Sequence, residues 1–212
     1  MKIRVLLADD HAVVRYGLRA LLELSGMQVV GEAGDGREAL RIAEEYQPQV
    51  AILDVAMPGL NGIDATAVVR ERCPRTRVVI LSMHSDSEHV HRAFAAGASG
   101  YLLKGSASDE IVTAVRAVMH GRRYLSRDLA HIDRARAERS DKPGPLESLS
   151  VRERQVLQLV VEGHSSVGIA VLVNLSPKSV DTYRSRLMKK LRVSDVPGLV
   201  KFAIQHGLTP AQ

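Results

Sequence analysis

Five times within residues 1–125, a short β-branched apolar run is followed by an amphipathic helical window, and this alternation restricts the chain to very few architectures. The runs Ile3–Ala8, Val29–Ala33, Val50–Leu53, Val78–Ser82 and Gly100–Leu103 predict strands. The windows Ala12–Leu24, Gly36–Glu45, Gly62–Arg72, His89–Ala96 and Ala107–His120 predict helices. In the first of these, Val14, Leu18, Leu21 and Leu22 share one side at helical spacing. Strands this apolar must be buried on both faces. The expectation is an α/β domain: a doubly wound, five-stranded parallel sheet with helices on either side.

In a parallel sheet, neighbouring strands present their carboxyl ends to one crevice. At or just beyond those ends stand Asp9 and Asp10, Asp54, Ser82 and Lys104. Any one of these could merely cap a helix, but the set on successive strand ends suits phosphoryl chemistry. A carboxylate that attacks a phosphoryl group must overcome repulsion between anions, and a hard cation such as Mg²⁺ relieves it. Asp10 and Asp54 would hold the ion, with Asp9 acting directly or through water. A phosphorylated Asp54 would then offer oxygens to the Ser82 hydroxyl and the Lys104 ammonium, drawing both loops inward. A hydrolase built this way needs an acid or base two residues beyond its nucleophile. Ala56 stands there, so the chain is not expected to be an enzyme.

The 212 residues carry a formal charge of +5, unevenly placed. Residues 1–125 hold 15 basic and 15 acidic side chains, whereas residues 146–212 hold 9 and 5. An excess confined to the C-terminal end is what a polyanion-binding tail requires. Between them, HIDRARAERSDKPGPLES breaks the pattern, and its Pro-Gly-Pro cannot continue a helix. We therefore expect units at 1–125 and 147–212 joined by a linker at 126–146, with Arg127–Arg139 extending as a helix. The single cysteine, Cys73, excludes a disulfide framework and suits a reducing compartment. There is no signal-peptide pattern at Met1 and no apolar run near the ~18 residues of a membrane span, so a cytoplasmic protein with no membrane partner is expected.

The tail reads as all-α. Ser150-Val-Arg-Glu153 has capping-box spacing before a helix over Val151–Glu162, stopped by Gly163. A short helix near Ser166–Leu172 and a turn through Val173-Asn174-Leu175 follow. Ser176-Pro177 opens a long helix to Leu191, and a last helix runs from about Gly198 to Gln205. On the long helix Val180, Tyr183, Leu187 and Leu191 form an apolar stripe. Lys178, Thr182, Ser185 and Lys189 lie opposite, with Arg186 and Lys190 on a flank and Arg184 beside the stripe. Such a face suits the major groove of DNA.

The segments LLADDH, ILDVAMPGLNG, VILSMH and YLLKG resemble the receiver domain of two-component response regulators, a flavodoxin-like fold, across residues 1–125. The resemblance implies that Asp54 accepts a phosphoryl group from a sensor histidine kinase. It further implies that Asp9, Asp10, Asp54 and the Ala56 carbonyl arrange Mg²⁺, and that Ser82, Tyr101 and Lys104 are switch residues. LSVRERQVLQLVVEG and IAVLVNLSPKSVDTYRSRLMKKL resemble the four-helix, helix-turn-helix domain of the LuxR class, so the whole chain looks like a NarL/FixJ-type regulator. By that resemblance Lys178, Thr182, Arg184, Ser185, Arg186 and Lys189 contact double-stranded DNA at promoter half-sites. Leu199, Val200, Ala203 and Ile204 would pair two tails in a phosphorylated homodimer. Two features depart from the pattern. Gly168, costing about 1 kcal/mol of helix propensity, is expected to fray the short helix. Asp181 faces the DNA side, where it would need a cytosine amine, Arg184 or Lys178 as partner.

Overall fold

The computed structural model describes residues 2–106, 108–130, 145–206 and 208. Its first unit is a parallel sheet of β1 (Arg4–Ala8), β2 (Gln28–Ala33), β3 (Val50–Asp54), β4 (Arg77–Ser82), β5 (Gly100–Leu103) and β6 (Tyr124–Leu125), in the order β2-β1-β3-β4-β5-β6. Five strands were expected and β6 is an addition. It is two residues long and pairs with β5, the Tyr124 N–H donating to the Ser99 carbonyl at 3.0 Å and the Ser126 N–H to the Tyr101 carbonyl at 2.9 Å.

Helices α1 (Ala12–Leu24), α2 (Gly36–Tyr46), α3 (Gly62–Arg72), α4 (Ser87–Ala95) and α5 (Ser108–Met119) divide between the two faces. Because strand side chains alternate, Val5 and Leu7 of β1 join Leu18 and Leu22 of α1 and Val115 and Val118 of α5 in one core. Leu6 and Ala8 join Ile42 of α2, Ile63 and Val69 of α3 and Val90 of α4 in the other. The strand order reverses between β1 and β3, so the crevice at the sheet's carboxyl edge opens between Asp9 and Asp54. Helix α4 starts at Ser87, two residues before the expected His89, because the Asp86 carboxylate accepts from the His89 N–H and caps the turn.

The second unit packs α6 (Val151–Val161), α7 (Ser166–Val173), α8 (Pro177–Leu191) and α9 (Val196–Gln205) around Leu146, Leu157, Ile169, Val180, Leu187 and Leu199. The capping box at Ser150 and Glu153 forms as the spacing required. Helix α7 does not fray at Gly168. Ser165 caps it by accepting the Gly168 N–H, Asn174 closes it in the left-handed conformation (φ 53°), and Ile169, Ala170 and Val173 bury one side. Helix α9 begins at Val196 rather than Gly198, since Asp195 caps it through the Gly198 N–H at 2.8 Å. Of the expected helix over Arg127–Arg139, Arg127–Leu129 form a 3₁₀ turn; residues 131–139, with Pro143 and Gly144, lie outside the described residues. Among the described residues no helix is long and apolar enough to cross a membrane.

Candidate functional site

The carboxyl edge of the sheet gathers the side chains that the sequence scatters. Lys104, just past β5, places its Nζ 2.8 Å from Asp9 Oδ2 and 2.8 Å from Asp54 Oδ2. Both carboxylates are enclosed, Asp9 at 0% and Asp54 at 2% exposure. Asp9 Oδ1 also accepts from the His11 N–H at 2.8 Å, so the residue braces the turn leading into α1 with one oxygen and faces the pocket with the other. Asp10 lies on the solvent side, with His11 Nδ1 2.6 Å from its Oδ1. Asp9, Asp10, His11 and Asp54 bring ligand atoms within 4.8 Å of one another. His11 was not singled out from the sequence, where it reads only as the residue after the acidic pair.

Burial pushes the Asp54 carboxyl above its ordinary value; Lys104 opposes the rise and the Asp9 charge adds to it. Burial would lower Lys104, but hydrogen bonds and charges from Asp54 and Asp9 outweigh it and hold the ammonium above its usual range. Two carboxylates against one ammonium leave the pocket with an excess of negative charge. Its hard oxygen donors fit a small divalent cation such as Mg²⁺ better than a soft metal. The Ala56 backbone N–H supports the Asp54 carboxylate from the following loop.

Two further strand-end residues complete the edge. Ser82 is fully buried and its Oγ accepts from the His84 N–H at 3.0 Å. The Lys104 N–H donates to the Ser82 carbonyl at 2.6 Å, tying the two loops together. Tyr101 is turned inward and fully enclosed, its hydroxyl donating to the His84 carbonyl at 2.8 Å; burial holds that hydroxyl above its ordinary value.

On α8, Val180 and Leu187 are buried while Tyr183 and Leu191 pack partly against the same core. Lys178, Thr182, Ser185, Arg186 and Lys189 are exposed, and Arg184 is half-buried, 3.4 Å from Ser166 Oγ. Among the described residues Asp181 pairs with neither Arg184 nor Lys178; the Ser166 hydroxyl donates to it at 2.7 Å, joining α7 to α8. Lys190, expected on the flank of the polar face, turns inward to Glu153 Oε2 at 2.8 Å. On α9, Leu199 and Ala203 are wholly inside the tail's core, because the helix needs that stripe to pack on α6. Of the four residues expected to pair two tails, only Val200 and Ile204 lie toward the surface.

The sequence did not announce that the two units grip one another at the loop after Asp54. The Gln158 amide of α6 donates to the Met57 carbonyl at 2.7 Å, and its oxygen accepts from the Asn61 N–H at 2.9 Å. Glu162 accepts from the Gly59 N–H at 2.9 Å, and Arg154 meets the buried Asp64 at 2.7 Å. Arg37 of α2 donates to the Leu172 carbonyl of α7. The one sequence signal was a glutamine inside the apolar run VLQLVV, which would otherwise be an odd residue to bury.

Comparison with known proteins agrees with this geometry. Residues 5–116 match the family described as response regulator receiver domain, and residues 147–203 match the bacterial regulatory proteins of the luxR family. The chain is 37% identical over 212 residues to the response regulator UvrY of Escherichia coli (strain K12), covering 99% of this chain and 97% of that one. It is 39% identical over 208 residues to the transcriptional regulatory protein MctR of Rhizobium johnstonii, covering 98% and 95%. Among solved structures, the two-component response regulator RcsB–DNA complex aligns with a TM-score of 0.61 at 25% identity, covering 99% of this chain and all of that one (100%). The chain belongs to the response regulators that couple a receiver domain to a LuxR-type helix-turn-helix domain and act as DNA-binding transcription regulators.

Proposed function

We propose that Asp54 is the phosphoacceptor and that its phosphorylation by a sensor histidine kinase sets DNA binding by α8. The observation that carries this reading is Lys104 Nζ standing 2.8 Å from both Asp9 and Asp54 at the sheet's switch point. A carboxylate oxygen of Asp54 attacks phosphorus, forming an O–P bond as the P–N bond to the kinase histidine breaks. Asp9, Asp10, Asp54 and the Ala56 carbonyl would hold Mg²⁺, which when bound neutralises charge between the two anionic groups. Lys104 then exchanges a carboxylate partner for a phosphoryl oxygen, Ser82 donates to another, and Tyr101 keeps its loop packed inward. Ala56 offers no acid or base, which suits a group that stores the phosphoryl rather than turning it over.

The tail supports the second half of the reading. Lys178, Thr182, Arg184, Ser185, Arg186 and Lys189 supply charge and hydrogen-bond donors for one half-site of double-stranded DNA, and a homodimer reads two. Residues 1–125 act as receiver, 126–146 as linker and 147–212 as the DNA-binding unit. A reducing cytoplasm suits the buried thiol of Cys73. Gln158 and Glu162 hold the loop that follows Asp54, so a rearrangement there is felt directly by α6. Labelling with acetyl phosphate tests the site: the unmodified chain should take up one phosphoryl group and Asp54→Asn none. Persistent labelling of the variant would remove Asp54 from the role.

A further inference from the structure

The receiver and the tail meet at a second place, between α4 and the end of α9, and there the contact runs through an imidazole ring. His89 of α4 is almost wholly buried, at 3% exposure. Its Nδ1 faces both oxygens of Asp86, at 2.9 and 2.8 Å, and its Nε2 faces the backbone carbonyl of His206 at the end of α9, at 3.0 Å. A carbonyl can only accept. Asp86 can only accept as well, because its carboxyl is held well below the usual carboxylate range: burial would raise it, but the ring and backbone N–H of His89 outweigh that. Both ring nitrogens must therefore carry protons for both contacts to be hydrogen bonds. A neutral ring keeps one proton, and the carboxylate retains it. Nε2 then turns a lone pair toward the His206 carbonyl.

The surroundings fit a cation at this position. The His84 ring stacks on His89 with centroids 4.1 Å apart and planes 6° from parallel. Burial, and then the nearby His89, hold His84 below its ordinary value, so the ring stacked on His89 is the neutral partner that a doubly protonated imidazole would favour. Facing the pair are Asp86, Glu88 and Arg92 of α4, Tyr101 of β5 through the His84 carbonyl, and His206 of α9, whose Nδ1 is 3.3 Å from Glu88 Oε1. His84, Asp86 and His89 also bring ligand atoms within 4.8 Å of one another. Two parallel rings cannot both contain one ion in their planes, so the stack argues for a proton rather than a metal.

We propose that His89 is a proton-operated latch between receiver and tail: the doubly protonated ring holds the end of α9 against α4, and loss of the Nε2 proton releases it. The latch is wired to the switch, since the residue stacked on His89 bonds Ser82 through its N–H and Tyr101 through its carbonyl. Its consequence for DNA binding rests on the function proposed above, whereas the latch itself does not.

The test uses the full chain. Side-chain ¹⁵N spectra of His89 from about pH 6 to about pH 9 are recorded beside energy transfer between dyes on the two domains. A doubly protonated ring in the closed chain should lose Nε2–H over the same interval in which the closed-to-open ratio falls, by about tenfold for each unit of pH at the steepest. His89→Gln keeps an amide donor that does not titrate and should flatten the energy-transfer curve. His206→Gln keeps the carbonyl and should leave the curve in place. A singly protonated His89 in the closed chain overturns the latch whether or not either variant folds. Loss of Nε2–H with no change in energy transfer, or an unaltered curve in His89→Gln, does so equally.

Discussion

Arg154 Nε donates to Asp64 Oδ1 at 2.7 Å, joining the first helix of the tail to the third helix of the receiver across 90 residues of sequence. Asp64 is 1% exposed and its other oxygen accepts from the Asn61 amide at 2.8 Å. Removing one member of a buried ion pair usually costs about 3–5 kcal/mol, because the other is left uncompensated. Here the two charges belong to units with separate cores, so the stranded carboxylate reaches water if the domains part. Arg154→Ala should therefore lower interdomain closure, seen as a larger radius of gyration in small-angle scattering, with each domain's unfolding nearly unchanged. A compact variant that unfolds earlier as a whole would contradict this.

Asp54→Asn should raise the melting temperature of the metal-free chain at neutral pH. A carboxyl whose value is raised on folding holds its proton more tightly in the folded state, so stability falls as pH rises through the raised value. Asparagine removes that cost, and Lys104 keeps Asp9 as its partner. A gain of a few degrees, about 1–2 kcal/mol, is expected near pH 7 and should shrink toward acid pH. Calorimetry across pH, without and with Mg²⁺, measures it.

Gly62 opens α3 directly against the phosphoacceptor strand, where an added Cβ would lie 2.0 Å from the Asp54 carbonyl oxygen. Neither backbone can yield without moving the pocket. Gly62→Ala should destabilise the chain by about 1–3 kcal/mol and slow acetyl-phosphate labelling together. Loss of stability with labelling at the normal rate would separate the helix from the pocket.

Glu153 is held below its ordinary value: burial would raise it, but Lys190 and the Ser150 capping bonds prevail. A depressed carboxyl stabilises the fold above its unfolded-state value, about 4.3, and that contribution is lost as pH falls through the folded-state value. Glu153→Gln should thus lower tail stability at neutral pH and make little difference in acid, as followed by circular dichroism of the melting tail.

Lys189 is exposed on α8, on the side of the helix turned away from the tail's core. If it meets a phosphate, Lys189→Ala should reduce the slope of log affinity against log salt by about 1 per contact, and weaken all sequences alike. An unchanged slope in a binding titration would take Lys189 off the interface.

The pocket was legible because its residues sit at strand ends, and a parallel sheet brings strand ends together whatever the details of the intervening helices. Asp9, Asp54, Ser82 and Lys104 needed no more than that. The helices begin at Ser87 and Val196, two residues ahead of the expected His89 and Gly198, for one reason: Asp86 and Asp195 cap from three residues before those expected starts. Strand β6 was missed because two residues carry no period. Leu199 and Ala203 show a different limit, since an apolar helical stripe looks the same whether it serves the domain's own core or a partner. The contact between the domains was the least legible, because Gln158, Glu162 and Arg154 find their partners among atoms distant in the chain.

On the receiver side, the grip at Met57, Gly59 and Asn61 is made largely through main-chain atoms: one carbonyl and two N–H groups. Alanine scanning along Met57-Pro58-Gly59-Leu60 would leave every one of those atoms present, so its losses would report the buried Met57 and Leu60 side chains and the left-handed Gly59 (φ 70°) and not the grip itself. The tail side is the opposite, because Gln158 and Glu162 take part through their side chains. Changes that tune how firmly the regulator is shut can therefore accumulate in α6 while the loop after Asp54 stays bound to the demands of its own chemistry.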